Sequence, residues 1–245
     1  MGDPQFFAEK YYLDGADEII YIDSVASLYG RNNLKEVVNK AAKKISIPLT
    51  VGGGLRTIDD IKQILNSGAD KVAINTEAVS NPDFISKCVS YFGSSTIAIS
   101  VEANKVNDNY YAFYDYGREI SKRKIYEWMI EIQDRGAGEI ILTSISSEGL
   151  GEGFDNILID HVEKIIRVPL IINGGANSKI AIKNVLKKKF VSGVAISSML
   201  HYFLIQTKDF IFKKKGEGNS EYLNSPLISD KHNFETTSIK NLKFY

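Results

Sequence analysis

The 245-residue chain has one cysteine and three histidines, and no charge of one sign predominates, since Lys+Arg and Asp+Glu both number 30. A single cysteine excludes an internal disulfide framework and suits a reducing compartment, so the expected location is the cytoplasm. Cys88 lies in the amphipathic stretch Asp83 to Tyr91, which predicts burial rather than reactivity. His161, His201 and His232 show no ligand spacing, so no metal is expected, and no spacing implies an organic cofactor. Without a Ser-His-Asp or reactive-cysteine arrangement, nucleophilic catalysis is not the expected route. The balanced charge offers no basic field for nucleic acid. No apolar run approaches membrane-spanning length and the start lacks a signal-peptide pattern, so no membrane association is expected.

What is present is alternation and glycine. The apolar run Pro48-Leu49-Thr50-Val51 feeds Gly52-Gly53-Gly54 and then a helix-like segment. Glycines let the backbone approach an anion closely, and the helix that follows offers free N–H groups and a positive dipole end. The chain repeats the device at Pro169-Leu170-Ile171-Ile172-Asn173-Gly174-Gly175. In both places a further apolar strand ends 22 residues after the last glycine, at Thr76 and at Ser197. Two matched phosphate-type turns half a chain apart outweigh the alternative of two ordinary strand-to-helix turns.

Hydrophobic residues make up 44% of the chain, enough for a sizeable core. Asp3-Pro4 starts an opening helix that Gly15 stops. Strands are predicted at Glu18–Asp23, Pro48–Val51, Lys71–Asn75, Thr96–Glu102, Glu139–Ser144, Pro169–Asn173 and Gly193–Ser197. Helices are predicted at Leu34–Lys44, Ile58–Ser67, Pro82–Phe92, Lys124–Arg135, Ile157–Ile166 and Lys179–Lys188. Nearly continuous apolar strands suit parallel strands covered on both faces. The repeated βα units predict a TIM (β/α)8-type barrel, which seven strands leave one short of closure, with the missing strand placed before the opening helix. The polar, tyrosine-rich stretch Asn104–Gly117 reads as an inserted hairpin. Residues 1–212 form the barrel domain in this reading, and residues 213–245, opening on the Lys213–Ser220 run, form a polar tail with no clear period.

Active sites of such barrels lie at the carboxyl ends of the strands. Those ends supply Asp23, Gly53 and Gly54, Asn75 and Thr76, Glu102, Thr143 and Ser144, Gly174 and Gly175, and Ser197 and Ser198. Two cradles on opposite sides suit a long bisphosphorylated substrate, with Glu102 and Asp23 between them as acid/base candidates. Asp23 is equally a candidate cap for the next turn.

Gly2-Asp3-Pro4, Gly15-Ala16-Asp17-Glu18, Pro48 through Thr57, Gly68 through Thr76 and Arg135 through Ser144 resemble the cyclase subunit of imidazole glycerol phosphate synthase. The likeness covers most of residues 2–205. It implies a barrel paired with a glutaminase subunit, whose ammonia crosses the barrel to a bisphosphorylated ribulosylaminoimidazole-carboxamide substrate. The products implied are imidazole glycerol phosphate and an aminoimidazole-carboxamide ribotide. Carried over by position, Gly54, Asn75 and Thr76 resemble one phosphate site, and Gly149, Gly174, Gly175, Ser197 and Ser198 the other. Glu18, Lys71 and Glu139 match charges at the amino-terminal mouth, where the family admits ammonia and docks its partner; a satisfied ion-pair network is the structural alternative.

The chain also departs from that pattern. The family opens with a strand bearing a catalytic aspartate, and here about 30 residues of such a unit are expected to be missing. The family's second catalytic aspartate falls on Glu102, which moves the carboxylate by one methylene, a shift of around 1 Å that can cost on the order of 100-fold in rate. The loop Ile145-Ser146-Ser147-Glu148 lacks an acid and an arginine of the family. Two alternatives keep the fold and change the role: a subunit delivering ammonia for amidination of a nucleotide sugar, and a noncatalytic scaffold that activates the glutaminase.

Overall fold

The computed structural model describes residues 3–23, 34–206 and 233–243. Helix α1 (Pro4–Leu13) starts as its sequence dictates, with the Asp3 carboxylate accepting the Gln5 N–H at 3.1 Å and a proline where no donor is needed. The strands that follow are β1 (Ile19–Ile22), β2 (Leu49–Gly52), β3 (Lys71–Ile74), β4 (Ile97–Val106), β5 (Asn109–Tyr114), β6 (Glu119–Lys124), β7 (Glu139–Ser144), β8 (Leu170–Asn173) and β9 (Gly193–Ala195). Seven are parallel neighbours in the order β1-β2-β3-β4-β7-β8-β9, and the antiparallel hairpin β5–β6 leaves from β4. Between them run α2 (Leu34–Ala42), α3 (Ile58–Asn66), α4 (Thr76–Ser80), α5 (Asp83–Phe92), α6 (Ile125–Asp134), α7 (Asn156–Val162), α8 (Lys179–Leu186) and α9 (Ser198–Ile205). The architecture is a TIM-type α/β sheet nearly closed into a barrel. Among the described residues it ends at β1 and β9, and Phe7 of α1 stacks on His201 of α9 at 4.3 Å, drawing the two edges together.

Period-two alternation sorts the strand residues. Leu49, Val51, Val72, Ile74, Ile97, Ile99, Ile140 and Leu142 belong to the main core beneath the helices. Their alternates Ala73, Ala98 and Ile141 form a second cluster with Ile20 and Ile171, inside the barrel. Cys88 is fully buried under α5, as its amphipathic setting predicts.

Three features extend beyond the sequence expectation. The inserted hairpin is longer than Asn104–Gly117, because β4 runs on to Val106 and β6 returns to Lys124. Strand β6 is a charged sheet edge, and its residues Glu119, Lys122 and Lys124 give no apolar period to detect. Helix α4 has five residues, too few for a period, and α9 is apolar nearly all round. The third feature is the last segment, residues 233–243. Phe234 packs on Tyr202 and against Gly151, and the Glu235 N–H donates to the Asn177 carbonyl at 2.8 Å. The Ile239 N–H, at the start of α10 (Ile239–Leu242), donates to Asp14 at 2.5 Å, and Leu242 is buried. The rest of the predicted tail, including Lys213–Ser220, lies outside the described residues.

The terminal segment therefore spans from the loops after β7 and β8 to the α1–β1 turn. Leu242→Ala removes a buried leucine and should destabilise the fold by about 2–3 kcal/mol, lowering Tm by roughly 4–12 °C. An unchanged Tm in differential scanning calorimetry would show that this segment adds nothing to the folded unit.

Candidate active site

The two glycine turns match in detail. Gly53 and Gly54 have φ of 111° and 67°, and Gly174 and Gly175 have 88° and 99°. Each pair thus takes two successive left-handed conformations, where a side chain would be strained. Three residues after each pair a hydroxyl caps the next helix: Thr57 accepts from the Asp60 N–H at 3.1 Å, and Ser178 from the Ala181 N–H at 3.2 Å. At the neighbouring strand ends, Asn75 (φ −121°, ψ −79°) and Ser197 (φ −119°, ψ −69°) turn the chain almost identically into α4 and α9. The half-chain repeat is one of backbone shape as well as of sequence.

Part of the glycine requirement is internal. A Cβ on Gly53 would lie 2.3 Å from the Asp23 carbonyl oxygen, and one on Gly175 would lie 2.1 Å from that of Gly153. These glycines seat neighbouring loops against one another and so shape the cradles. Gly149 also has a positive φ, 74°, and open space around it. Ser198 is half-buried and Ser197 exposed beside them at the start of α9.

Glu102 stands on β4 between the two turns. Its register neighbour is Thr143, which in turn neighbours Asn173. The Asn173 amide donates to the Thr143 hydroxyl at 3.1 Å. Burial pushes the Glu102 carboxyl up to about 7; the Gly117 backbone N–H opposes that rise, and the charges of Glu148 and Asp115 add to it. The Asn75 amide also favours the charged form, but makes no hydrogen bond of ordinary geometry. Its Nδ2 and Oδ1, and Oε2 of Glu102, are buried without partners. Such atoms are costly unless a ligand or water completes them. Asn75, expected in the phosphate cradle, thus faces the carboxylate. Thr76 begins α4 and accepts the Asp115 N–H at 3.2 Å.

Asp23 ends β1, half-buried, its N–H donating to the Gly52 carbonyl at 2.9 Å and its own carbonyl accepting the Tyr116 hydroxyl at 2.9 Å. After β7, Ser144 is within hydrogen-bond reach of Ser147 at 3.1 Å and Ser146 at 3.3 Å. The sequence did not single out Tyr116, Asp115, Gly117 or Asn173 as contributors to this mouth. Tyr116 and Gly117 lie in the predicted hairpin, but nothing in a linear pattern says that its tip bends over the strand ends.

At the opposite mouth Lys71 lies 2.8 Å from both Glu18 and Glu139, and Thr50 donates to Glu18 at 2.5 Å. Burial alone would lower the lysine, but hydrogen bonds and charge from the two glutamates outweigh it and raise the ammonium above its ordinary range. One oxygen of Glu139 is buried without a partner. Among the described residues no three carboxylate, thiol or imidazole groups converge where a metal could bind.

The family described as histidine biosynthesis protein matches residues 1–206 of the chain. Imidazole glycerol phosphate synthase subunit HisF of Natranaerobius thermophilus is 40% identical over 208 residues, which is 85% of this chain and 83% of that protein. The subunit of the same name from Legionella pneumophila is 48% identical over 176 residues, 71% of this chain and 83% of that protein. The one from Sulfolobus acidocaldarius is 42% identical over 175 residues, 71% of this chain and 70% of the relative. No helix among the described residues is long and apolar enough to cross a membrane. With a helix-covered parallel sheet, paired glycine turns and this extent of identity, the chain belongs to the histidine biosynthesis protein family.

Proposed function

We propose that this chain is the cyclase subunit of an imidazole glycerol phosphate synthase, taking ammonia from a glutaminase partner. The observation that carries the reading is Glu102, half-buried with one enclosed and unpartnered carboxylate oxygen, between two matched glycine turns. A substrate with a phosphate at each end suits two like cradles a barrel mouth apart. One is Gly53 and Gly54 with Thr76; the other is Gly149, Gly174, Gly175, Ser197 and Ser198. The relatives named above bear the synthase name, which favours an imidazole product over the sugar amidine.

A carboxyl that titrates near neutrality can both give and take a proton in one cycle. Glu102 serves as that group during ring closure and cleavage, with Asp23 as the second carboxylate. Asn75 has the donor and acceptor to hold either a substrate polar group or Glu102 itself. Ammonia enters at Glu18, Lys71 and Glu139, where the partner docks. It then passes Ala73 and Ala98, the small buried side chains of the barrel interior. An apolar passage keeps ammonia neutral and therefore nucleophilic.

Glu102→Gln should lower ammonium-dependent turnover by about 10²–10⁴-fold. Undiminished turnover would remove Glu102 from the chemistry. The same variant carries a stability signature. The fold holds this proton up to about 7, whereas the unfolded chain releases it in the ordinary carboxylate range. Stability from this site is therefore full below that range and is lost as pH rises through 7. Denaturant midpoints should fall between pH 5 and pH 8 in the parent by more than in Glu102→Gln. Lys71→Met should leave turnover with added ammonium largely intact while glutamine-dependent turnover drops roughly tenfold, as expected when coupling rather than chemistry is damaged. Equal losses with both nitrogen sources would place Lys71 in a purely structural role.

A further inference from the structure

The tip of the inserted hairpin is bent over the carboxyl mouth in a conformation that its sequence does not favour. Asp115 and Tyr116, neither of them glycine, have φ of 51° and 60°, and Gly117 follows with 71°. Three successive left-handed residues persist only where the surroundings over-determine them. The surroundings do so from two strand ends. The Asp115 N–H donates to Thr76 after β3 at 3.2 Å and the Tyr116 hydroxyl donates to the Asp23 carbonyl after β1 at 2.9 Å, while the Gly117 N–H bears on the charge of Glu102 on β4. From outside, Arg118 donates to the Asp115 carbonyl and carboxylate, both at 2.9 Å, and lies 6.0 Å over the Tyr116 ring. An irregular register in β5–β6, where four steps along β6 answer two along β5, bends the ribbon toward the barrel.

We propose that Tyr116 is a positioning residue, whose hydroxyl ties the turn 115–117 to β1 so that this turn covers Glu102 and sets both its orientation and its contact with water. The proposal rests on Glu102 being the acid/base group. Strand β4 pairs with β5 from Glu102 to Val106, so the cap hangs from the strand that carries the carboxyl. Three other groups bear on that carboxyl: the Asn75 amide from the end of β3, Glu148 from the loop after β7, and Asp115 from the turn itself, already paired with Arg118. Among the described residues no cation acts on it. Exclusion of water is the largest influence keeping the proton on, and the cap supplies part of that exclusion.

Releasing the tie admits water and lowers the carboxyl's titration midpoint. Loss of the Gly117 N–H acts the other way, but is the smaller influence. The test is a carbon-13 NMR titration of the glutamate carboxyls in the full chain, with the Glu102 resonance assigned by its disappearance in Glu102→Gln. In Tyr116→Phe, which keeps the ring, the Glu102 midpoint should fall by about half a pH unit or more. The acid-side inflection of kcat should move with it, and kcat should drop about fivefold to tenfold with KM nearly unchanged. The exposed Arg118→Gln should move the midpoint in the same direction by less, and reports on the cap if Tyr116→Phe folds poorly. A Glu102 midpoint that stays put in both variants overturns the proposal, even if Tm or activity falls. Full turnover in Glu102→Gln would instead overturn the acid/base reading, and the NMR midpoint would still judge the cap.

Discussion

A parallel sheet clothed in helices leaves its strands no wet face, and most of this molecule follows from that constraint. Outward positions must be apolar to meet the helices, and Val51, Val72, Ile97, Ile99 and Ile140 have no exposed surface. Inward positions must fit a narrow interior, and Ala73 and Ala98 fill its middle with small side chains. A polar group at mid-strand would be buried without partners, at a cost of a few kcal/mol. Strand ends escape this because loops and water are at hand. Polar residues accordingly gather at the two mouths, Glu18, Thr50, Lys71 and Glu139 at one and Asn75, Glu102, Thr143 and Asn173 at the other.

The two mouths treat the same side chain in opposite ways. Glu18 and Glu139 share the ammonium of Lys71 at 2.8 Å, so charge is held by a counter-charge. Among the described residues Glu102 has no cation near it, only the Gly117 N–H and a poorly aligned Asn75 amide, and burial prevails. One mouth therefore stores fixed charge while the other stores a proton that leaves near neutrality. The proposed function, with ammonia entering at one mouth and a proton exchanged at the other, makes use of that division.

The hairpin and the terminal segment make the exit more than a ring of strand ends. Backbone packing consumes much of the glycine signal: Gly53 seats against Asp23 and Gly175 against Gly153, so each cradle is built from paired loops. The hairpin tip then closes over one side, while Phe234 and Glu235 border the loops of the other. Each of these pieces joins residues more than 20 positions apart, and none has a regular period.

Alternation and glycine placement were legible in the linear chain because they are local. The seven parallel strands, the half-chain repeat and the strand-end positions of Glu102, Asn75 and the glycine pairs all follow from periods of two and 3.6 and from turn chemistry. The charged hairpin strand, the five-residue helix after Asn75 and the mostly apolar helix after Ser197 left no such period. By itself the sequence placed Glu18, Lys71 and Glu139 at the starts of their strands and Asn75, Glu102 and Thr143 toward the carboxyl ends of theirs, since positions along a strand are settled by counting. Only the tertiary structure decided what each mouth does to its carboxylates. Proton affinity depends on burial and on which donors arrive from elsewhere, and Lys71 and the Gly117 turn reach their glutamates through folding alone.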